Sequence, residues 1–177
     1  VLDELEKTGF LPALVIATTN QPVGRHMTMT ANPVKEWALA RGIPAHTPAK
    51  LDAAFVGMLR AENCDVFIVA SYARIIPEAV LNMPPHKTLN IHPSLLPLYR
   101  GPAPLPAAML DDAKHTGVTI MRIDEQVDHG PIVAQKEIDI AEWPTYEDFE
   151  ELMAREGAQL RVDVLPKWIT GTIKEKE

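Results

Sequence analysis

The sequence has 177 residues, of which 46% are hydrophobic and 23% are charged, and its formal net charge at pH 7 is −7. This composition is typical of one globular domain and excludes a disordered or fibrous chain. The negative charge argues against a protein that binds nucleic acid by bulk charge alone, although local basic contacts stay open.

Compartment and membrane class follow from two further features. The single cysteine, Cys64, excludes a disulfide framework and a cysteine zinc site, and it is typical of a reducing compartment. The longest apolar run near the start, residues 11–17, is far shorter than the roughly 20 residues that span a bilayer. We therefore expect a soluble, cytoplasmic domain with no membrane partner. Because Val1 opens the chain inside a helix-like segment, we also expect an α/β domain without its first strand.

The first third of the chain predicts a strand, a long loop and two helices. Residues 14–18 are apolar and β-branched, as in a strand buried on both faces. Residues 19–31 are polar, and loops of this length are usually functional. An Asn-Pro start at Asn32 and a stop at Gly42 predict one helix, and residues 51–62 predict a second, amphipathic one.

The remaining chain alternates between apolar strands and amphipathic segments. It predicts strands at 65–70, 88–92, 117–123 and 132–140, and helices at 77–81 and from Thr145 towards Lys167. Prolines concentrated between positions 77 and 106 are expected to stiffen loops. The alternation predicts an α/β fold with a Rossmann-like, mostly parallel sheet and helices on both faces.

Asn90 and His92 are the first candidates for chemistry. Residues two apart on a strand point to the same face, and Pro93 ends the predicted strand directly after His92. Ligands of open α/β sheets bind at the carboxyl ends of the strands. A carboxamide beside an imidazole can hold a developing oxyanion and move a proton near neutral pH. The alternative interpretation is a loop pair that bonds only within the protein.

Asp128 is the candidate for orienting the His92 imidazole. It lies in the loop after the predicted strand 117–123, and a carboxylate there could fix the ring and raise its basicity. Two alternatives stay open, because an Asp in this setting is also typical of a turn and because His92, His129 and nearby carboxylates allow a metal-site interpretation. Ser94 has no base at suitable spacing, so we expect no nucleophile there.

Three motifs, in this order, resemble the folate-dependent formyltransferase family. They are Asn-Ile-His-Pro-Ser-Leu-Leu-Pro at 90–97 with Tyr-Arg-Gly at 99–101, Thr-Gly-Val-Thr-Ile-Met at 116–121, and Asp-His-Gly-Pro-Ile at 128–132. The resemblance implies the formyltransferase fold and the transfer of a formyl group from 10-formyltetrahydrofolate to a primary amine. It implies no metal.

The resemblance also assigns roles by position. Asn90, His92 and Asp128 fall on the family's catalytic set. The implied cofactor-binding residues form two segments and a pocket wall: Tyr72, Ala73, Arg74, Ile75 and Ile76; Arg122, Asp124, Glu125, Gln126 and Val127; and Ser94, Leu95, Leu96 and Pro97. Ala73 and Arg74 depart from the family's pattern, in which a glycine and a neutral residue are usual.

Segments 21–25, 32–36 and 41–44 are similar to the branch of the family that formylates the amino group of initiator methionyl-tRNA. In that branch the loop holding Arg25 contacts the tRNA acceptor arm, so Arg25 is the expected RNA-binding residue. Residues 1–177 are then a catalytic domain, incomplete at the N terminus and without the C-terminal β-barrel. The expected partners are the folate co-substrate and aminoacylated initiator tRNA.

Three alternatives to the tRNA substrate stay open. Glycinamide ribonucleotide transformylases and nucleotide-amino-sugar N-formyltransferases share the same Asn-His-Asp chemistry. The third alternative belongs to another class, a non-catalytic folate- or partner-binding remnant.

Overall fold

The computed structural model describes residues 1–19, 21–23, 28–30 and 32–176. Its helices in chain order are α1 (Leu2–Lys7), α2 (Pro33–Leu39), α3 (Ala53–Ala61), α4 (Glu78–Leu81), α5 (Pro104–Leu110) and α6 (Tyr146–Ile169). Its strands are β1 (Val15–Ile16), β2 (Gln21–Val23), β3 (Thr28–Thr30), β4 (Ala45–His46), β5 (Phe67–Val69), β6 (Thr88–His92), β7 (His115–Arg122) and β8 (Ile132–Asp139).

The chain forms two compact units, and the smaller one covers residues 11–64. Strands β1 and β4 pair in parallel around a core that includes Val15, Ala38 and Ile43. Helix α2 begins as predicted, with the Asn32 side chain accepting from two backbone amides and proline at the first helical position. The predicted loop 19–31 instead contains an antiparallel hairpin of β2 and β3.

The larger unit, residues 1–10 and 65–177, is built on one four-stranded sheet in the order β5-β6-β7-β8. Strands β5 and β6 are parallel, whereas β7 runs antiparallel to both β6 and β8. Three register pairs place the candidate residues: Asn90 lies between Val69 and Met121, and His92 lies opposite Thr119. The centre of the sheet therefore carries Asn90 and His92 at the carboxyl end of β6.

Helix α6 packs along this sheet and closes the main core. It starts where the sequence predicts, with the Thr145 hydroxyl accepting from the Asp148 amide. At Gly157 a Cβ atom would lie 2.7 Å from a methyl of Ile91 and 3.2 Å from one of Val118, so only glycine permits this approach of helix to strand. Phe149, fully buried, extends the same core toward α5.

The α/β class is confirmed. Strand β6 has the predicted bounds. Helix α5, in the proline-rich stretch expected to be loop, and the short strand β4 were not predicted. Strand β5, within the apolar run predicted as a strand, is half-buried. Over the described ranges, no helix combines the length and the apolar character needed to cross a membrane.

Candidate active site

The His92 ring is fixed by an acceptor on each side. Its side chain is 5% exposed, its Nε2 lies 3.0 Å from the carbonyl oxygen of Tyr99, and its Nδ1 lies 3.6 Å from Oδ1 of Asp128. A carbonyl oxygen only accepts hydrogen bonds, so Nε2 carries a proton in either charge state of the ring. Any proton that His92 gains or loses is therefore exchanged at Nδ1, on the Asp128 side.

Asp128 is held in place by the backbone of the neighbouring loop. Its Oδ2 accepts a hydrogen bond of 2.8 Å from the amide of Gly101, and its φ angle is 47°. Aspartate is one of the few residue types that adopt this left-handed conformation readily. Two residues later, a Cβ on Gly130 would lie 1.9 Å from the carbonyl oxygen of Arg122, which makes glycine necessary at that position.

Asn90 lies on the same strand face as His92, as the sequence predicts. It is half-buried and lies two register pairs further from the end of β6 than His92. The structure therefore brings Asn90, His92 and Asp128 to one end of the sheet. A carboxamide and an imidazole on a single face offer two hydrogen-bond donors to one substrate oxygen.

The loop after β6 is fixed by buried hydrogen bonds to β7 and β8. The Thr119 hydroxyl donates to the Ser94 carbonyl at 2.6 Å and accepts from the Leu96 amide at 3.1 Å. Gln135 donates to both the Thr119 hydroxyl and the Leu96 carbonyl. The Ser94 hydroxyl donates to the Leu98 carbonyl at 2.6 Å, a turn contact rather than the geometry of an activated nucleophile.

Four of the predicted cofactor-binding residues line a common cleft. A cavity of about 300 Å³ lies between the end of β7 and helix α4, and its lining is Glu78, Leu81, Asn82, Arg122, Ile123, Asp124, Glu125 and Gln126. Glu78 and Leu81 of α4 and Asn82 directly after it were missed in the sequence, because a short helix with exposed polar residues carries no motif. Val127, also predicted, is 71% exposed and outside this lining.

Asp124, which lines the cleft, makes two hydrogen-bond contacts within its own loop. Its carboxylate accepts from the Gln126 amide at 2.9 Å and pairs with the His129 ring at 2.8 Å. Partial burial opposes ionisation, but the hydrogen bonds from His129 and Gln126 keep the pKa of Asp124 below its usual value. The cleft therefore presents a stable negative charge beside Glu78 and Glu125.

The segment after β5, which contains the predicted cofactor residues Tyr72 to Ile76, has two residues with positive φ angles. Ala73 has a φ angle of 53°, and Ser71, two residues before it, has 51°. The Tyr72 hydroxyl is buried with no hydrogen-bond partner among the described residues. Arg74 is exposed, Ile75 is 93% exposed and Ile76 is half-buried. Such strain and an unsatisfied buried group are common where a protein binds a ligand.

The other predicted residues are placed as follows. In the pocket-wall segment Leu96 is buried, Leu95 is half-buried and Pro97 is exposed after a cis peptide bond. Arg25, the predicted RNA contact, lies outside the described residues. Across the described part of the chain, no group of three or more His, Cys, Asp or Glu side chains is arranged to hold a metal ion.

Comparison with known proteins places this chain in a family. The sequence matches the family described as formyl transferase over residues 1–165. The chain belongs to the formyl transferase family. It is 44% identical over 174 residues to a methionyl-tRNA formyltransferase of Chloroflexus aggregans, covering 98% of this chain and 56% of that protein. The chain thus spans about half the length of the curated relatives that it matches.

Solved formyl transferases share the fold. Glycinamide ribonucleotide transformylase 1 from Symbiobacterium toebii is 26% identical, with a TM-score of 0.77 over 97% of this chain and 81% of that chain. A sugar N-formyltransferase from a Shewanella species is also 26% identical, with a TM-score of 0.66 over 80% of this chain and 55% of that chain. The fold therefore extends across family members that are named for different acceptors.

Proposed function

We propose that residues 1–177 are the catalytic domain of a formyltransferase that moves a formyl group from 10-formyltetrahydrofolate to a primary amine. The observation that carries the proposal is the position of His92, with Asp128 at 3.6 Å from Nδ1 and Asn90 two residues before it on β6. Membership of the formyl transferase family supports the reaction class.

The cleft suits the pterin end of a folate. Its acidic residues Glu78, Asp124 and Glu125, with the amides of Asn82 and Gln126, offer acceptors for a ring rich in N–H donors. The unsatisfied Tyr72 hydroxyl supports a ligand near the segment after β5. When bound, the co-substrate supplies the formyl group. We assign its pterin ring to the Arg122–Val127 and Tyr72–Ile76 segments, with Ser94, Leu95, Leu96 and Pro97 as the pocket wall.

Asn90 and His92 act on the formyl oxygen. As the amine attacks the formyl carbon, negative charge develops on that oxygen, and the Asn90 amide and a protonated His92 stabilise it by hydrogen bonds. Nε2 is engaged by Tyr99, whereas Nδ1 lies 3.6 Å from Asp128, too far for a hydrogen bond, so Nδ1 is the ring nitrogen that we assign as the donor to the formyl oxygen. Removing one donor of this kind typically slows turnover by about 10²–10³-fold.

Asp128 orients His92 and assists proton movement. The amine loses a proton as the new C–N bond forms, and the departing nitrogen gains one. The Nδ1 atom and the Asp128 carboxylate lie on the same side of the ring, so they can pass this proton directly or through one water. This chemistry needs no bound metal.

The proposed acceptor is the amino group of initiator methionyl-tRNA, with the protein acting in the cytoplasm. Curated relatives that bear the name methionyl-tRNA formyltransferase, at 37–44% identity, favour this acceptor over the others. Arg25 remains the predicted contact with the tRNA. Glycinamide ribonucleotide is the second candidate, because the Symbiobacterium toebii transformylase has the same fold at 26% identity.

One experiment distinguishes these acceptors. The chain, and the parent protein if it is longer, is supplied with labelled 10-formyltetrahydrofolate and with methionyl-tRNA, glycinamide ribonucleotide or a nucleotide amino sugar. We expect transfer to methionyl-tRNA, weakened by Arg25→Ala, which leaves donor binding unchanged. Transfer to glycinamide ribonucleotide alone contradicts the acceptor assignment. Donor binding with transfer to none of the three contradicts catalysis and favours a folate-binding remnant.

A further inference from the structure

The segment after helix α6 is anchored along the edge of the four-stranded sheet. Ile132 and Lys176 exchange two backbone hydrogen bonds, of 2.8 and 2.7 Å, and so extend the sheet beyond β8. Ile173 packs on a buried cluster that includes Leu89 and Ile120. Glu175 therefore lies between two anchored residues, Ile173 and Lys176.

Glu175 binds Arg122 with both carboxylate oxygens. The Arg122 Nε donates to Oε2 at 2.7 Å and Nη2 donates to Oε1 at 3.1 Å. Two parallel hydrogen bonds fix the plane of a guanidinium as well as its position. These bonds raise the pKa of Arg122 above its usual value, so the guanidinium keeps its charge.

Arg122 connects this pair to the cleft. It ends β7 and lines the cleft, and its backbone amide donates a hydrogen bond to the Pro131 carbonyl oxygen at 3.0 Å. The residues that follow it, from Ile123 to Gln126, form the rest of that wall. The direction of the Arg122 side chain thus helps to set the shape of the wall.

The pair also sets the charge of the cleft. Among the eight residues that line it, Arg122 is the cationic one, whereas Glu78, Asp124 and Glu125 are anionic. Arg122 and Asp124 still attract each other, since the charge of each shifts the pKa of the other toward the charged form, but the two side-chain hydrogen bonds that the guanidinium makes go to Glu175. Without Glu175, the guanidinium would compete for the carboxylates that we assign to the N–H donors of a pterin.

We propose that Glu175 is a positioning residue for the co-substrate cleft, acting through Arg122. This inference rests on the proposed function, because it concerns the same cleft. Glu175 contacts no substrate in this account. Its carboxylate holds the Arg122 guanidinium, so that the guanidinium does not bind the acidic side chains of the cleft. The Arg122–Gln126 wall then keeps the shape that binds the co-substrate.

The test combines binding with hydrogen exchange on the full chain. Binding of a non-transferable 10-formyltetrahydrofolate analogue is measured for the unmutated chain, for Glu175→Gln, for Arg122→Gln and for both together. Glu156→Gln is the control, since Glu156 forms an ion pair with Lys136 on the same unit without lining the cleft. Backbone amide exchange at residues 123–126 is measured on the same samples without ligand.

We expect Glu175→Gln to raise the dissociation constant by about three- to fivefold, the loss typical of a partly exposed ion pair. Faster amide exchange at 123–126 should accompany it, and Glu156→Gln should change neither. The double variant should bind no worse than the weaker single variant, because Glu175 acts through Arg122.

Unchanged binding and exchange in Glu175→Gln overturn the inference while leaving the proposed function intact. Equal weakening by Glu156→Gln, or losses that multiply in the double variant, also overturn it. If the unmutated chain binds no analogue, the proposed function itself fails, and the inference fails with it.

Discussion

The amide of Gly101 donates to the carboxylate of Asp128 at 2.8 Å, and this one hydrogen bond ties together the two loops that enclose His92. One loop carries Tyr99, whose carbonyl oxygen binds Nε2 of His92, and the other carries Asp128, which faces Nδ1. The orientation of the ring therefore depends on both loops at once. Asp128, which resembles a simple turn residue in the sequence, thus holds the geometry of the proposed catalytic site.

Asp128→Asn should reduce turnover by about two orders of magnitude or more, because the Nδ1 proton loses its charged partner. Asparagine also tolerates a φ angle near 47°, so the loop should keep its shape. Analogue binding, measured by calorimetry, should stay within about twofold of the unmutated chain. Asp124→Asn is the informative comparison, since it removes a cleft carboxylate and should weaken binding more than turnover. Turnover of Asp128→Asn near that of the unmutated chain would reduce Asp128 to a turn residue.

Thr119→Val should destabilise the chain by about 1–3 kcal/mol, because its hydroxyl makes three hydrogen bonds, two with the loop after β6 and one with Gln135 of β8. Thr116→Val is a matched control on the same strand, since its buried hydroxyl has no hydrogen-bond partner in the described part of the chain. Thr116→Val should leave the free energy of unfolding unchanged or raise it slightly. Urea unfolding of both variants measures the difference. Equal destabilisation by the two substitutions would mean that the Thr119 hydrogen bonds contribute nothing specific.

Ala73→Gly should stabilise the chain by about 0.5–1 kcal/mol, because alanine is strained at a φ angle of 53° and glycine is not. Ala154→Gly, within helix α6, is the opposite control and should cost about 1 kcal/mol. Thermal unfolding reports both changes. A loss of stability in Ala73→Gly would show that the backbone of this segment is not strained.

Arg161→Leu should stabilise the chain at neutral pH. Arg161 is 6% exposed, its Nε and Nη2 atoms have no hydrogen-bond partner among the described residues, and burial lowers its pKa to about 10. Below that pH the guanidinium is charged in both folded and unfolded chains, so the full desolvation penalty applies. The penalty shrinks only as the pH rises above about 10, where the folded chain loses the proton first.

The expected gain from Arg161→Leu is about 1–3 kcal/mol in urea unfolding at pH 7. Arg155→Leu, an exposed arginine on the same helix, should change stability by no more than about 0.5 kcal/mol. A destabilised Arg161→Leu chain would indicate that the buried guanidinium is stabilising as it stands.

The elements that the sequence predicts well are those specified by local signals. Strand β6 is an apolar run that ends at Pro93, and helices α2 and α6 begin at capping residues. All three can therefore be predicted from neighbouring residues alone. Helix α5 was missed because Pro104 and Pro106 suggest a loop. Both lie in its first turn, where the missing amides have no helical partner to lose.

The candidate site also has features that local sequence patterns predict and features that they do not. The pairing of Asn90 with His92 follows from strand periodicity, but the 3.6 Å approach of Asp128 depends on the antiparallel register of β6 and β7, which no local pattern reveals. The α4 side of the cleft and the Arg122–Glu175 pair, 53 positions apart in the chain, likewise exist only in the folded structure.

The central claim is that His92 and Asp128 work as one unit in formyl transfer, and a double-mutant cycle tests it most directly. Turnover with labelled 10-formyltetrahydrofolate and methionyl-tRNA is measured for the unmutated chain, His92→Asn, Asp128→Asn and the double variant, with donor binding recorded for each. Groups that act together are strongly non-additive, so the double variant should be no slower than His92→Asn alone. Losses that multiply, or turnover that survives in His92→Asn, would contradict the claim.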